Sequence, residues 1–313
     1  MQAHHGHGHA HGHGHAESGP DLDWAVLGSH LERQAELHAP YLRQAAAWLR
    51  GRQPEARRVL DVGSGPGVAA CLLAQEFPEA EVVAVDGAPE LLEMARARAD
   101  ALGLGERLRT LRAELPEGFP ALGEADVIWA SQVVHHLGDQ RAALRAMAGL
   151  LRPGGVLAVA ERGLPTRFLP RDIGLGRPGF LTRLDAVEEE WFTAMRAGLP
   201  GSTDTVEDWP EMLAAAGLTA APPRSFLVDL PPPLAPGARA HLHTLLARRR
   251  EELGESLDPD DRATLDVLLS GEDPAGVLRR PDAFYLTAFT VHTGRRAGGD
   301  GDAGPASGAR PAP

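Results

Sequence analysis

The sequence predicts a three-layer α/β fold, a mainly parallel sheet covered by helices on both faces. Three observations predict it. Short, nearly continuous apolar runs recur at Arg58–Val62, Glu81–Asp86, Leu108–Leu111, Asp126–Ala130 and Val156–Ala160. Stretches of helical pattern, Val68–Phe77, Pro89–Leu102 and Gln140–Leu151, lie between most of them. A glycine-rich turn, Gly63-Ser64-Gly65-Pro66-Gly67, joins the first run to the first of these helices. Strands that are apolar along their whole length are buried on both faces. Parallel neighbours need a crossover between them, which the intervening helices supply.

Residues 1–20 precede this alternation as a low-complexity tract, with His4, His5, His7, His9, His11, His13 and His15 spaced mainly by Gly and Ala. Such a tract buries too little apolar surface to offset its ordering entropy, so it is expected to be disordered. Its neutral imidazoles can bind Ni²⁺ or Zn²⁺ weakly, with nothing to fix a coordination geometry. Residues 297–313 read as a second disordered tail. An amphipathic helix over about Ser29–Leu49, with Leu31, Leu37, Tyr41, Leu42 and Trp48 on its buried face, makes residues 21–56 an N-terminal helical cap. Residues 57–162 are the core, in which Pro153-Gly154-Gly155 stops the third helix and turns the chain into the next strand.

After Glu161 the pattern changes. Residues 163–208 are rich in Gly, Pro and Arg, with an amphipathic piece around Ala186–Ala197, and read as an insertion above the sheet edge. In 209–296 the core resumes. Trp209–Ala216 is a helix closed by Gly217, Arg224–Leu230 a strand broken by Pro231–Pro233, Ala238–Leu253 and Asp260–Leu269 two helices, and Phe284–Thr293 a last strand.

Composition narrows the function. The 313 residues are 43% hydrophobic and 24% charged, the balance of a globular chain with a core. A formal net charge of −12 opposes a nucleic-acid partner, which needs a basic face. The one tight basic run, Arg248-Arg249-Arg250, reads as a solvated helix end. No apolar run approaches the ~20 residues that cross a bilayer, and the His/Gly-rich start is not a secretory signal, so a cytoplasmic location with no membrane partner is expected. The single cysteine, Cys71, sits in an apolar stretch and excludes an internal disulfide or thiol-pair centre.

The glycine turn carries the chemistry. Glycine is needed there for backbone angles that a side chain opposes and for close approach to a ligand. A dinucleotide fingerprint, G-x-G-x-x-G, requires glycine at position 68, which is Val68. The spacing is G-x-G-x-G instead, with Asp61 two residues upstream. That arrangement suits S-adenosylmethionine, which has no pyrophosphate but has an amino-acid tail whose ammonium a carboxylate can meet. Asp86, ending the second strand, can accept from both ribose hydroxyls. Glu114, after the third strand, can accept from the adenine amino group.

The runs VLDVGSGPG, VVAVDGAPELLEMARARA and ADVIWASQVVHHLGDQRAALRAMAGLLRPGGVLAVAE resemble the class I S-adenosylmethionine-dependent methyltransferases, especially their small-molecule branch. The resemblance is close over about Arg57–Arg162 and looser over Trp209–Leu230. It implies a Rossmann-like, seven-stranded sheet with its last strand antiparallel, a role open to Phe284–Thr293, and helical lid insertions. It assigns Asp61, Gly63, Ser64, Gly65 and Gly67 to the methionine end of the cofactor, Asp86 and Gly87 to the ribose and Glu114 to the adenine. Ala130 and Ser131 then line the pocket at the tip of the fourth strand.

Methyl transfer needs alignment, exclusion of water and sometimes removal of a proton from a small-molecule acceptor, but no metal. The candidates are His135 and His136 after the fourth strand and Glu161 at the end of the fifth. Either imidazole can serve as a base, or pack against the sheet edge or cap the next helix. Glu161 either meets the acceptor or pairs with Arg162. In the lid, Phe168, Phe180, Trp191 and Phe192 form an apolar wall for the acceptor or pack on the N-terminal helix. Arg167, Arg171 and Arg177 either recognise an acidic acceptor or solvate loops. Two alternatives stay open: a non-catalytic, metal-handling or regulatory protein built around the histidine tail, and an NAD(P)-dependent oxidoreductase, which Val68 and Asp61 disfavour.

Overall fold

The structure is a computed structural model, and it describes residues 24–298. Of the tails named above, residues 1–20 and 299–313 lie outside the described residues, and so does the side chain of Arg162. Seven strands form one sheet: β1 (Arg58–Val62), β2 (Glu81–Asp86), β3 (Leu108–Arg112), β4 (Ala125–Ser131), β5 (Leu151–Arg167), β6 (Thr219–Leu230) and β7 (Tyr285–Arg295). Their order is β3-β2-β1-β4-β5-β7-β6. The first five run parallel, and β7 lies antiparallel to both of its neighbours, as the resemblance implies. The chain winds outward one way through β2 and β3 and the other way through β4 and β5. A crevice therefore opens at the carboxyl tips of β1 and β4, where such sheets bind ligands.

Strand residues alternate between two apolar layers. Val59, Val82, Ala84, Val127, Trp129 and Ala158 face the layer of helices α1 (Trp24–Arg52), α2 (Val68–Glu76) and α3 (Pro89–Ala101). Leu60, Val62, Val85, Ile128 and Val159 face α4 (Gln140–Leu150) and α6 (Trp209–Ala215). Cys71 is buried on α2, inside the first layer. Helices α5 (Phe180–Gly198), α7 (Pro236–Leu253) and α8 (Pro259–Leu269) are the insertions, and they extend the first layer beyond the sheet edge.

Three boundaries differ from the sequence reading. β5 runs on to Arg167, because residues 161–167 pair with β7 through two register shifts. β6 begins at Thr219, with Pro222-Pro223 inside a register shift on this edge strand, where a missing N–H leaves no ladder bond unmade. The buried face of α1 is centred on His30, His38, Tyr41, Leu42, Ala45 and Leu49, while Leu31, Leu37 and Trp48 are half-buried.

Candidate active site at the carboxyl edge of the sheet

The glycine turn is held by the strands on either side. Ser64 N donates to Val85 O at 2.9 Å, and Gly67 N donates to Ser64 O at 3.1 Å. Gly63, Gly65 and Gly67 all have positive φ, at 68°, 52° and 78°. At Gly67 a Cβ would lie 2.5 Å from Ala95 Cβ, so this glycine lets α2 approach α3. At Gly63 it would lie 2.3 Å from Val133 Cγ2. At Gly65 it would meet nothing within 4 Å, so this glycine faces open space.

Asp61 and Asp86 lie beside the turn, each 2% exposed, with different partners. Asp86 Oδ2 accepts from Gly65 N at 2.9 Å and Oδ1 from Ala88 N at 3.0 Å. It therefore braces the loop. Asp61 Oδ2 has no partner, and neither does Ser64 Oγ. Burial, followed by the charge of Asp86, raises the Asp61 carboxyl to about 7, while a hydrogen bond from the Ala70 backbone opposes the rise. A buried carboxylate oxygen without a donor leaves its desolvation uncompensated.

The other predicted cofactor residues divide. Gly87 is buried and its carbonyl accepts from Arg112 Nε at 3.1 Å. Ala130 is fully buried, and Ser131 Oγ lies 3.3 Å from Tyr41 Oη. Glu114 points outward, with a side chain 57% exposed and 3.5 Å from Arg112. An exposed loop residue is free to do so, since nothing in the fold encloses it.

Glu161 and His135 are brought together, and His136 lies against them. Glu161 is 1% exposed; its Oε1 accepts from the backbone N–H of Val133 at 2.9 Å and Val134 at 2.7 Å. Its Oε2 lies 2.5 Å from His135 Nδ1. A carboxylate oxygen accepts, so Nδ1 donates in this contact and Nε2 is the ring nitrogen left for another partner. The His136 ring packs on His135 at 4.0 Å between centroids. The cap of α4 is Asp139, which accepts from Ala142 N, so His136 does not take that part. Arg196 of α5 donates to the carbonyls of His135 (2.7 Å) and Leu137 (2.8 Å), which ties the insertion to this turn.

Of the four aromatics expected in a lid wall, Phe192 meets His135, at 5.6 Å between ring centroids. Phe168 and Phe180 are buried in the core, and Trp191 is half-buried against it. Arg167 pairs with Asp185, and Arg177 with Asp258 and Asp261. Arg171 is exposed.

Two residues of α1 reach the site that sequence reasoning did not place there. Tyr41 is 2% exposed; burial pushes its phenol well above the usual range, and the Glu161 and Asp61 carboxylates add to this against the Ser131 hydrogen bond. Its ring stacks on Phe289 at 4.2 Å. His38 Nε2 lies 2.7 Å from Tyr285 Oη. The available signal was two polar rings three residues apart on an otherwise apolar helix face. A depression of about 210 Å³ lined by Arg52, Val156, Thr219 and Thr293 opens at the opposite, amino edge of the sheet, away from all of these groups.

A family model described as a methyltransferase domain matches residues 60–157. The chain is 40% identical over 138 residues to a trans-aconitate 2-methyltransferase of Methylobacterium radiotolerans, covering 42% of this chain and 50% of that protein. It is 38% identical over 117 residues to a malonyl-[acyl-carrier protein] O-methyltransferase of Laribacter hongkongensis, covering 35% and 38%. The match thus spans half or less of each relative's length. Among solved structures, an O-methyltransferase family protein from Burkholderia thailandensis superposes with a TM-score of 0.46 at 16% identity, over 88% of this chain and 64% of that one. Residues 60–157 therefore match a methyltransferase domain, and the relatives that share this segment are named as methyltransferases.

Proposed function

We propose that this protein transfers a methyl group from S-adenosylmethionine to an oxygen, nitrogen or carbon centre of a small-molecule acceptor. One observation carries the reading: the unpartnered, buried Asp61 Oδ2 beside the open face of Gly65, at the point where the strand order reverses. An ammonium group placed there supplies the missing donor, and the Asp61 carboxyl ionises against it. Gly65 lets the backbone come close, and Asp86, at the end of β2, holds the loop in shape beside the place proposed for the ribose. When bound, the cofactor supplies a methyl group on a positively charged sulfur.

The chain's own residues do the rest. Glu161 fixes the His135 tautomer, so that Nε2 can take a proton from an acceptor whose nucleophile carries one. Phe192 covers His135 and helps to exclude water. Two relatives are named for acids, trans-aconitate and malonyl, which makes a carboxylate oxygen the first centre to try. A net charge of −12 supports an acceptor other than nucleic acid. Calorimetry with S-adenosylhomocysteine tests the proposal, and no heat of binding at millimolar ligand would end it.

A further inference from the structure

Beyond the tips of β4 and β5 the insertions bury donors that have no acceptor. Arg249 of α7 is 7% exposed, although its Arg-rich run reads in sequence as a solvated helix end. The correction has a physical cause, because α7 packs against α1, α5 and α8 and leaves Arg249 facing inward. Its Nη2 donates to Glu188 Oε2 at 2.5 Å, while Nε and Nη1 have no partner. Nearby, His241 of α7 and His30 of α1 stack at 5.6 Å with rings 5° from parallel. They are 2% and 4% exposed, and Nδ1 of each is unpartnered. Buried polar groups normally have partners, so three such residues in one region are unusual.

These groups and the His135 turn belong to one region. Tyr285 meets the His241 ring at 5.8 Å, lies 2.7 Å from His38 Nε2, and feels the Arg249 charge, which lowers its phenol against the rise caused by burial. Glu188 sits one turn of α5 before Phe192, whose ring touches His135. The neighbouring arginine charges are paired, Arg249 with Glu188 and Arg248 with Glu252. Burial, followed by the charges of Arg248 and Arg33, lowers His30 to about 4, and burial, followed by His30 and Arg33, lowers His241 to about 4. Both rings are therefore neutral at pH 7 and can offer an N–H. Of the other lid arginines, Arg167 is answered by Asp185, and Arg177 and Arg183 by Asp261.

We propose that this region is the acceptor subsite and that it takes a carboxylate-bearing acceptor, whose anionic group accepts from Arg249 Nε and Nη1. The inference rests on the methyltransferase reading and adds the substrate's charge to it. Glu188 is the competing carboxylate that holds Arg249 in place. Because α1 supplies His30 and covers the region, entry requires this helix to move.

The test is calorimetry on the full chain saturated with S-adenosylhomocysteine, using trans-aconitate and malonate as probes and their methyl esters as neutral controls. At least one acid should bind about tenfold or more tightly than its ester. Arg249→Met should weaken that acid by about tenfold or more and leave S-adenosylhomocysteine affinity unchanged. Glu188→Gln, which frees Arg249, should tighten it, a gain that a merely structural ion pair would not produce. If Arg249→Met does not fold, Glu188→Gln carries the test. The subsite is overturned if protein that binds S-adenosylhomocysteine prefers neither acid to its ester, or if Glu188→Gln leaves the acid's affinity unchanged. Failure to bind S-adenosylhomocysteine overturns the methyltransferase reading itself.

Discussion

Replacing Asp61 with Asn should make the ligand-free protein less sensitive to alkaline pH while removing its cofactor affinity. The Asp61 carboxyl stands at about 7 in the folded chain against 3.8 for the free group, raised chiefly by burial and then by Asp86. Below pH 3.8 the carboxyl is protonated in both states and its burial costs little. Between 3.8 and about 7 the unfolded chain ionises and the folded one does not, so stability falls as pH rises and levels off above 7. About three units at ~1.4 kcal/mol per unit give a loss of about 4 kcal/mol. Asn keeps the oxygen that accepts from Ala70 N and cannot ionise. Urea unfolding of wild type and Asp61→Asn at about pH 4 and pH 8 isolates this term, because other groups titrate alike in both proteins. Wild type should lose about 4 kcal/mol more than the variant between the two pH values. Equal losses would refute the argument that Asp61 is an unpaired buried acid waiting for a cation. By the same linkage, S-adenosylhomocysteine should bind wild type more weakly as pH falls below 7, since its ammonium must then displace a proton from Asp61.

Four further outcomes are expected. Gly67→Ala should destabilise by about 2–4 kcal/mol, combining left-handed backbone strain with a Cβ at 2.7 Å from Ala95 Cα. Gly65→Ala should cost about 1–2 kcal/mol in thermal melts, since its Cβ meets nothing, yet weaken S-adenosylhomocysteine about tenfold or more by filling the open face. His135→Ala should lower turnover about a hundredfold for an acceptor that must lose a proton, with cofactor affinity within a few-fold of wild type. Glu161→Gln should do the same by releasing the His135 tautomer; unchanged kcat in both variants would remove His135 as a base. Asp261→Asn should destabilise by about 1–2 kcal/mol at pH 7 and flatten the acid limb of the stability curve. The hydrogen bond from Arg183 holds the Asp261 carboxyl below its ordinary range, so its contribution is present above pH 3.8 and is lost as pH falls.

The sequence by itself determined the element order and the glycine turn flanked by Asp61 and Asp86. Val82–Val85 is apolar throughout, and Val59–Val62 is apolar but for Asp61, because strands buried on both faces have no polar side, so their limits are legible locally. The positive-φ glycines beside Asp61 are a local requirement of one turn, and they too are legible. Tertiary structure alone decided which polar groups are answered. Residues 161–167 and 219–223 become strand only because β7, far along the chain, pairs with them. Asp86 turns to loop amides and Glu114 turns to solvent, and the surrounding sequence marks neither choice. Arg249 reads as a solvated helix end until α1, α5 and α8 close around it. The reason is one of range. Periodicity records how a segment meets its own immediate surroundings, whereas the burial and partner of a charged group depend on elements brought together from distant parts of the chain.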